Sequence, residues 1–289
     1  MTTLGRERAY AKINLCLFLG PTRADGRHEL VTVFDSVGLY DELTFAQAGA
    51  DRVLSDGVPG RNLVADALAA LRQAGWGAPP LQVTIEKRIP VAAGMGGGSA
   101  DAAAMLRAAQ RLAPVDAGAV AEIAARLGAD VPSQLRGGPS LGTGAGERIE
   151  PLAPLGRYGV LVIPQPFALS TADVYRESDR LGLPRSREEL ERLRASVQVT
   201  LADRLTPELM VNDLQPASLS LAPQISAALD AAIGSGADRT LVCGSGPTVI
   251  GVFLGADGEP RAADAATALS EVFPGTIATG PARSSQFAH

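Results

Sequence analysis

The chain has 289 residues, of which 46% are hydrophobic and 20% are charged, enough for one large globular domain or two of ordinary size. Its formal net charge of -5 argues against nucleic acid as the main partner, because nucleic-acid binding favours a basic surface. No run approaches the roughly 18 apolar residues of a membrane span, and residues 1–8 lack the apolar centre of a signal peptide.

The first predicted strand covers residues 10–19, where apolar and polar residues alternate so that Lys12 and Asn14 share one face. A lone lysine on a strand is usually solvent-exposed. The apolar run around Lys12 instead favours a cleft-facing position, where the lysine needs an acidic or phosphate partner. The dipeptide Asp25-Gly26 is a strong turn signal. His28 follows it, either as a surface histidine or as a group that reads the edge of a ligand.

The remaining segments favour a mixed α+β protein in both halves. We predict helices at 62–74, 99–112, 117–127 and 186–196, and strands within 27–45 and at 81–86, 158–163, 240–243 and 249–253. Gly128 is expected to end the third helix. A loop-rich stretch over 136–154 and the segment 151–156 indicate a boundary, so we expect domains at residues 1–155 and 156–289.

Residues 90–100 form the most informative pattern, with four glycines in the five positions from Gly94 to Gly98. Because glycine has no side chain, the N–H groups of such a loop can converge on an anion. Strong helix formers follow, and a helix N-terminus also favours negative charge, so the loop is predicted to hold phosphate. The alternative is a glycine-rich turn that only connects a strand to a helix. The loop lacks the lysine of a P-loop and only approximates a dinucleotide-binding fingerprint.

Asp130 lies between two predicted helices, in the segment Gly128–Pro132. It is either a helix N-cap ahead of Pro132 or a carboxylate that accepts a proton from a substrate hydroxyl, and spacing alone does not decide between them. His28 and His289 are the histidines of the chain, so a histidine metal site is not expected. Both cysteines, Cys16 and Cys243, lie in apolar segments, which predicts buried thiols and a cytoplasmic protein.

Together these segments resemble the GHMP kinase superfamily, in the family's order and over nearly the whole chain. The matching segments are 11–15, 24–28, 90–100, 128–132 and 243–247, the last being a second glycine turn. Within the superfamily, the triple glycine before Ser99 and the Asp-Gly-x-His element make the chain most similar to one group. Its members phosphorylate the 2-hydroxyl of 4-diphosphocytidyl-2-C-methyl-D-erythritol, in isoprenoid precursor synthesis by the non-mevalonate pathway.

The resemblance implies a two-domain α+β GHMP kinase fold with the active site between the halves. The N-terminal domain would contain a left-handed βαβ crossover, and the C-terminal domain would be an α/β sandwich. The implied ligands are ATP as co-substrate, Mg²⁺ and a cytidyl diphosphate alcohol as the small-molecule substrate. No nucleic-acid or membrane partner is implied, and a monomer or a homodimer is expected.

The family's functional positions can be carried over residue by residue. Lys12 and Asp130 match its catalytic pair, with Asp130 accepting the hydroxyl proton and Lys12 offsetting charge. Asn14, Arg27, His28 and Tyr175 match substrate-binding positions. The matching ATP-binding positions are Asn62, Lys87, Pro90, Val91, Ala92, Ala93, Gly94, Met95, Gly96, Gly97, Gly98, Ser99 and Ala100, and no metal ligand is assigned.

The expected substrate contacts include one departure from the family. Arg27 stands where relatives have an aromatic residue that stacks on cytosine, and a planar guanidinium can also stack on a ring. Tyr175 would cover the opposite side of the ring, or be an ordinary half-buried tyrosine. Two further functions stay open: a GHMP kinase for homoserine, mevalonate or a sugar, and a nucleotide-binding protein without catalysis.

Overall fold

The computed structural model describes residues 2–55 and 60–282, and His289 lies outside these ranges. The strands are β1 (Thr3–Thr22), β2 (His28–Gln47), β3 (Arg52–Ser55), β4 (Leu81–Glu86), β5 (Ser140–Thr143), β6 (Arg148–Pro151), β7 (Tyr158–Ile163), β8 (Arg239–Val242), β9 (Val249–Leu254) and β10 (Ile277–Thr279). The helices are α1 (Leu63–Gln73), α2 (Gly97–Leu112), α3 (Ala117–Leu127), α4 (Val131–Arg136), α5 (Thr171–Arg180), α6 (Arg187–Asp203), α7 (Gln215–Leu221), α8 (Ile225–Gly234) and α9 (Gly258–Leu269). A 3-10 turn spans Pro207–Leu209. Mixed α+β content in both halves is confirmed.

The first sheet has six strands, and β2 is its centre. One edge of β2 pairs with β1 in antiparallel fashion, while the other edge pairs with β4 at Glu42–Gln47 and with β5 at Thr32–Phe34. The parallel neighbours β3 and β4 are connected through α1, which makes the βαβ unit for which the resemblance implies a left-handed crossover. The loop predicted over 136–154 is wrong in part, because it contains the β5–β6 hairpin. Strand β5 is stabilised by pairing with β2, and local propensity gives no sign of this tertiary contact.

Helix α2 forms the centre of the first half and positions the glycine loop. All ten residues from Ala100 to Ala109 are buried, and the six alanines among them let β1, α1, α3 and α4 pack closely around the helix. Arg107 fixes it further, because its Nε donates to Glu7 Oε1 at 2.7 Å and its Nη1 donates to the Gln134 carbonyl at 2.6 Å. The start of α2 is therefore held in a defined position beside β1.

The second sheet is antiparallel, with strand order β10–β7–β9–β8. The strand predicted at 158–163 coincides with β7, and the predicted pair near 240–253 is confirmed as β8 and β9. Helices α8 and α9 pack on this sheet, and alanines of both helices are part of a second hydrophobic core. Both cysteines are buried free thiols, as predicted. Within the described ranges, no helix is both long and apolar enough to cross a membrane.

A buried polar contact joins the two sheets. The Tyr158 hydroxyl, on β7, donates to Asp35 Oδ2, on β2, at 2.6 Å, and both side chains are buried. Among the described residues, Asp35 Oδ1 has no hydrogen-bond partner. Burial raises the pKa of Asp35 from 3.8 to about 6, because a charge in this interior is poorly solvated. Ionisation of Asp35 therefore lowers the stability of the fold, because the cost of burying the charge exceeds what the Tyr158 hydrogen bond returns.

This arrangement predicts a pH-dependent stability. With a folded-state pKa above the unfolded value, the contribution of Asp35 is present at low pH and is lost as the pH rises through about 6. Asp35→Asn removes the charge and keeps an acceptor for Tyr158. We expect its free energy of unfolding, relative to the unchanged chain, to be higher at pH 8 than at pH 5 by about 1 kcal/mol. Urea unfolding at both pH values measures this. Tyr158→Phe leaves the carboxylate in place and should keep the pH dependence, whereas an equal Asp35→Asn effect at both pH values would contradict the prediction.

Candidate active site

The glycine loop lies between β4 and α2 and is attached to β1. The Lys12 N–H donates to the Met95 carbonyl at 3.0 Å. The bond from the Ala100 N–H to the Gly96 carbonyl, 2.8 Å long, is the first turn of α2, so the amides ahead of it lie at the open end of the helix. Helix α2 begins at Gly97, earlier than predicted, which places the last two glycines of the loop inside its first turn. This geometry meets the requirements for binding an anion.

Two loop glycines have backbone conformations and neighbours that favour glycine. Gly94 has φ +75°, and a Cβ there would lie 2.2 Å from the Cys243 carbonyl oxygen. Gly96 has φ +68°, and its Cβ would lie 3.0 Å from Lys12 Cγ. The loop thus approaches both β1 and the turn Cys243–Gly246, which follows β8 in the second half. The predicted second glycine turn is part of the same site.

Lys12 and Asn14 project from β1 into the cleft, as their shared strand face predicts. Both are buried, and Lys12 Nζ donates to Asn14 Oδ1 at 2.8 Å. Asn14 Nδ2 in turn donates to Thr32 Oγ1 at 2.7 Å, which fixes the amide. Lys12 Nζ also lies 3.5 Å from Asp130 Oδ2. The lysine therefore has the acidic partner that its burial requires, and the solvent-exposed alternative is wrong.

Asp130 directly precedes α4 but does not cap it with its side chain. The N-cap alternative is therefore wrong, although the residue stands at the position where a cap is common. Its side chain is one-third exposed and lies beside Lys12, at the edge of a cavity. A partly exposed carboxylate, held near a cation and facing open space, can accept a proton from a bound hydroxyl.

Two cavities meet at the glycine loop. The larger, of about 650 Å³, is called here the acceptor cavity and is lined by Lys12, Asn14, Arg27, His28, Asp130 and Tyr175, among others. The smaller, of about 320 Å³, is called the nucleotide cavity and is lined by Asn62, Lys87, Asp101 and most of the loop. Gly94, Gly96 and Ser99 line both. Met95 and Ala100 line neither, because their side chains are buried in the core and the Ala100 N–H is used within α2.

Two predicted ATP-binding side chains already have structural partners. Asn62 Oδ1 caps α1 by accepting the Val64 N–H at 2.9 Å. The Lys87 ammonium lies between two carboxylates, in contact with Asp41 Oδ2 and 2.7 Å from Asp101 Oδ2. Burial alone would lower the pKa of Lys87, but the two carboxylates raise it above its ordinary value. Lys87 is therefore a charged, fixed part of the cavity wall.

His28 is buried, so the surface-histidine alternative is wrong. Its Nδ1 lies 3.0 Å from the Gly20 carbonyl oxygen, and its Nε2 lies 3.2 Å from Asp179 Oδ1. These two contacts fix the orientation of the ring. The ring also stacks on Tyr175, with 5.4 Å between centroids. Helix α5 thus brings Tyr175 and Asp179, one turn apart, onto the same imidazole.

Sequence reasoning missed several residues that shape the site. Asp41, Thr32 and Asp179 hold Lys87, Asn14 and His28, and they show no motif of their own. Asn212 Nδ2 donates to the Val242 and Gly244 carbonyls, each at 2.7 Å, which fixes the second glycine turn. These partners are far apart in sequence from the groups they hold, so local patterns cannot reveal them.

Comparison with known proteins supports the same grouping. Residues 62–138 match the GHMP kinases N terminal domain, and residues 189–275 match the GHMP kinases C terminal model. A 4-diphosphocytidyl-2-C-methyl-D-erythritol kinase of Streptomyces avermitilis is 41% identical over 95% of this chain and 96% of its own length.

Solved structures extend the comparison. A crystal structure of 4-(cytidine 5'-diphospho)-2C-methyl-D-erythritol kinase aligns with a TM-score of 0.78 at 33% identity, over 96% of this chain and all of that one. A homoserine kinase from Cytophaga hutchinsonii aligns with a TM-score of 0.62 at 17% identity, over 98% of this chain and 96% of that one, a likeness of fold alone. The chain belongs to the 4-diphosphocytidyl-2-C-methyl-D-erythritol kinase family of the GHMP kinases.

Proposed function

We propose that this chain transfers the γ-phosphoryl group of ATP to the 2-hydroxyl of 4-diphosphocytidyl-2-C-methyl-D-erythritol. One observation carries the proposal: the two cavities share the glycine loop, and Lys12 and Asp130 lie at the acceptor side of that shared wall. Triphosphate bound at the start of α2 would therefore present its terminal group to an alcohol in the acceptor cavity. A kinase of the same family aligns with 95% of this chain and 96% of its own length.

Catalysis in this site is a matter of position and charge, as in phosphoryl transfer generally. Loop amides would hold the phosphates, and Lys12, fixed by Asn14, would offset negative charge near the attacking oxygen. Asp130 would orient the acceptor hydroxyl and take its proton. We propose that this proton moves late in the transfer.

Magnesium fits this site only as a companion of ATP. Among residues 2–55 and 60–282, no three His, Cys, Asp or Glu side chains form a metal cluster. Mg²⁺ is usually held by one or two protein oxygens together with substrate phosphates and water. The Ser99 hydroxyl and the Asp130 carboxylate line the acceptor cavity beside the loop and could supply these protein oxygens. Bound there, the ion would supply positive charge to the phosphates.

The boundary between the two domains is also part of the proposal. We propose residues 1–155 and 156–289 as the two domains, supported by the change from the first sheet to the second between β6 and β7. A cytoplasmic location is supported by the two buried free thiols. Val37, on β2, bridges to Pro281, so the segment that directly follows β10 contacts the first sheet.

Arg27 is proposed to stack on the cytosine ring at the mouth of the acceptor cavity. Its side chain is 58% exposed, and the carboxylate of Asp25 lies 4.0 Å from Nε, so the guanidinium plane is available. We expect Arg27→Ala to raise the KM for the cytidyl substrate about tenfold with kcat little changed, since stacking on a base contributes 1–3 kcal/mol.

Steady-state assays with saturating ATP measure that effect. Arg27→Tyr restores a stacking surface and should return KM to near the original value. Arg6→Ala removes another exposed arginine, at the far end of β1, and should leave KM and kcat unchanged. An Arg27→Ala enzyme with unaltered KM would show that this residue does not contact the base.

A substrate panel tests the proposed function itself. The chain is incubated with ATP, Mg²⁺ and, separately, the cytidyl substrate, homoserine, mevalonate and galactose, and ADP release is followed. We expect release with the cytidyl substrate alone. Transfer to another alcohol would assign a different GHMP kinase activity, and tight ATP binding without any transfer would favour a non-catalytic nucleotide-binding protein.

A further inference from the structure

Arg23 connects two separate turns at the rim of the acceptor cavity. It begins the β1–β2 turn (residues 23–27), which carries Arg27 to the cavity. Its Nη1 donates to Glu147 Oε1 at 3.0 Å. Glu147 ends the β5–β6 turn (residues 144–147), which lines the same cavity. We call this Arg23–Glu147 contact the rim clasp, because it joins two parts of the cavity wall that are distant in sequence.

Each of the two turns is also held by its own hydrogen bonds. In the β1–β2 turn, the Arg23 N–H donates to the Arg27 carbonyl at 2.6 Å, and the Gly26 N–H donates to the Arg23 carbonyl at 3.0 Å. In the β5–β6 turn, the Ala145 N–H donates to Glu147 Oε2 at 2.6 Å. Glu147 therefore uses one oxygen to fix its own turn and the other to hold Arg23. The rim clasp sets the position of one ordered turn relative to the other.

Arg23 also balances the negative charge of this rim. Besides Glu147, its guanidinium lies 3.3 Å from Asp25 Oδ2 and 4.0 Å from Glu29 Oε2. Burial alone would raise the pKa of Glu147, but Arg23 and nearby N–H groups lower it below its ordinary value, so the clasp is charged at neutral pH. Without Arg23, three carboxylates would lie together beside a cavity that is proposed to take a diphosphate. Their repulsion would loosen the rim and oppose an anionic substrate.

An ordinary surface ion pair is the alternative explanation for this contact. Arg6 and Glu42 form such a pair, also between β1 and β2, with the arginine side chain 68% exposed. Arg23 and Glu147 are each 24% exposed, and the guanidinium meets three carboxylates instead of one isolated group. A single exposed pair contributes little to a structure, whereas a network of half-buried charges can hold a fixed geometry.

We propose that Arg23 is a positioning residue for the acceptor substrate: by holding Glu147, it fixes the two turns of the rim and so determines the affinity for the cytidyl substrate. This assignment rests on the proposed function. Among the described residues that line the acceptor cavity, Arg23 is not present, so it acts through Arg27 and Ala145. Because Lys12 and Asp130 lie deeper in the site, the chemical step itself does not depend on the clasp.

Arg23→Gln tests the proposal because it removes the charge and the fork of donors. We expect the Kd for the cytidyl substrate, measured by calorimetry without ATP, and its KM at saturating ATP both to rise about tenfold, since charge-assisted hydrogen bonds are the strong ones. The kcat and the Kd for ATP should stay within about twofold of their original values. Arg23→Lys keeps the charge but cannot reach three carboxylates at once, so it should recover part of the loss.

Three further variants distinguish positioning from a general effect on the fold. Arg6→Gln is the matched control and should leave all four constants unchanged. Glu147→Gln keeps the size of the side chain and should raise Kd and KM about threefold, so it decides the question if Arg23→Gln fails to fold. The double variant should be little worse than Arg23→Gln alone, because both changes break the same contact.

Four results would overturn the assignment of Arg23. They are an unaltered Kd and KM in Arg23→Gln, an equal loss in Arg6→Gln, fully additive effects in the double variant, and a fall in kcat as large as the rise in KM. Binding of the cytidyl substrate to the unchanged chain without transfer would overturn the proposed function alone, and the Kd values would still decide on Arg23. Absence of that binding would overturn both.

Discussion

Replacing Asp130 with asparagine is expected to abolish phosphoryl transfer while leaving ATP binding nearly intact. The carboxamide fills the same space but cannot take the hydroxyl proton, and general base catalysis contributes about 10²- to 10⁴-fold to a rate. Asp130 lines the acceptor cavity and is absent from the lining of the nucleotide cavity, so ATP affinity should hardly change. Turnover and ATP affinity are measured on the same preparation.

Two further variants sharpen that test. Asp173→Asn changes an exposed carboxylate near the start of α5 and should keep normal turnover. Lys12→Met alone should lower kcat, as Asp130→Asn alone does. The double variant should have a kcat little lower than that of either single variant, because the effects of residues that act as a unit are not additive. Near-normal turnover of the Asp130→Asn enzyme would remove Asp130 from the proposed role.

Replacing Gly94 with alanine is expected to disrupt the junction between the halves. The new Cβ would lie 2.2 Å from the Cys243 carbonyl oxygen, a backbone atom that cannot rotate away, and φ is +75°. The combined strain and overlap should destabilise the chain by roughly 2 to 5 kcal/mol. We expect a lower melting temperature and a loss of activity, because the loop and the Cys243–Gly246 turn can no longer meet.

Gly98→Ala is the matched control for that prediction. Its Cβ would meet only Leu63 Cδ1, at the ordinary contact distance of 3.8 Å, and Gly98 lies in the first turn of α2. Its melting temperature should be unchanged or slightly higher, since alanine favours a helix over glycine by about 0.8–1.0 kcal/mol. Equal melting temperatures for the two variants would contradict the close packing described at Gly94.

Local patterns predicted most of the regular elements because the period of apolar residues is set by the element itself. Strands β4 and β7 and helices α1 and α3 lie close to their predicted positions. The β5–β6 hairpin was missed, since its strands are four residues each and β5 depends on β2, and β6 on β5, for strand pairing. The strand predicted at 10–19 is longer, because β1 continues at both ends by pairing with β2.

The candidate site shows the same limit more clearly. Period-two alternation placed Lys12 and Asn14 together on one face, and the distance between them agrees. No pattern indicated that α5 would place Asp179 against His28, or that Asp41 and Asp101 would flank Lys87. Those contacts join segments brought together only by tertiary folding, so a single sequence carries no local signal for them.

The most direct test of the central claim follows the transferred group to its atom. The chain is incubated with ATP, Mg²⁺ and 4-diphosphocytidyl-2-C-methyl-D-erythritol, and the product is examined by ³¹P and ¹³C NMR. We predict one new phosphomonoester on the oxygen of the 2-hydroxyl, formed in equal amount to ADP and missing with the Asp130→Asn variant. No new phosphomonoester, or one on a different oxygen, would contradict the placement of the acceptor beside Lys12 and Asp130.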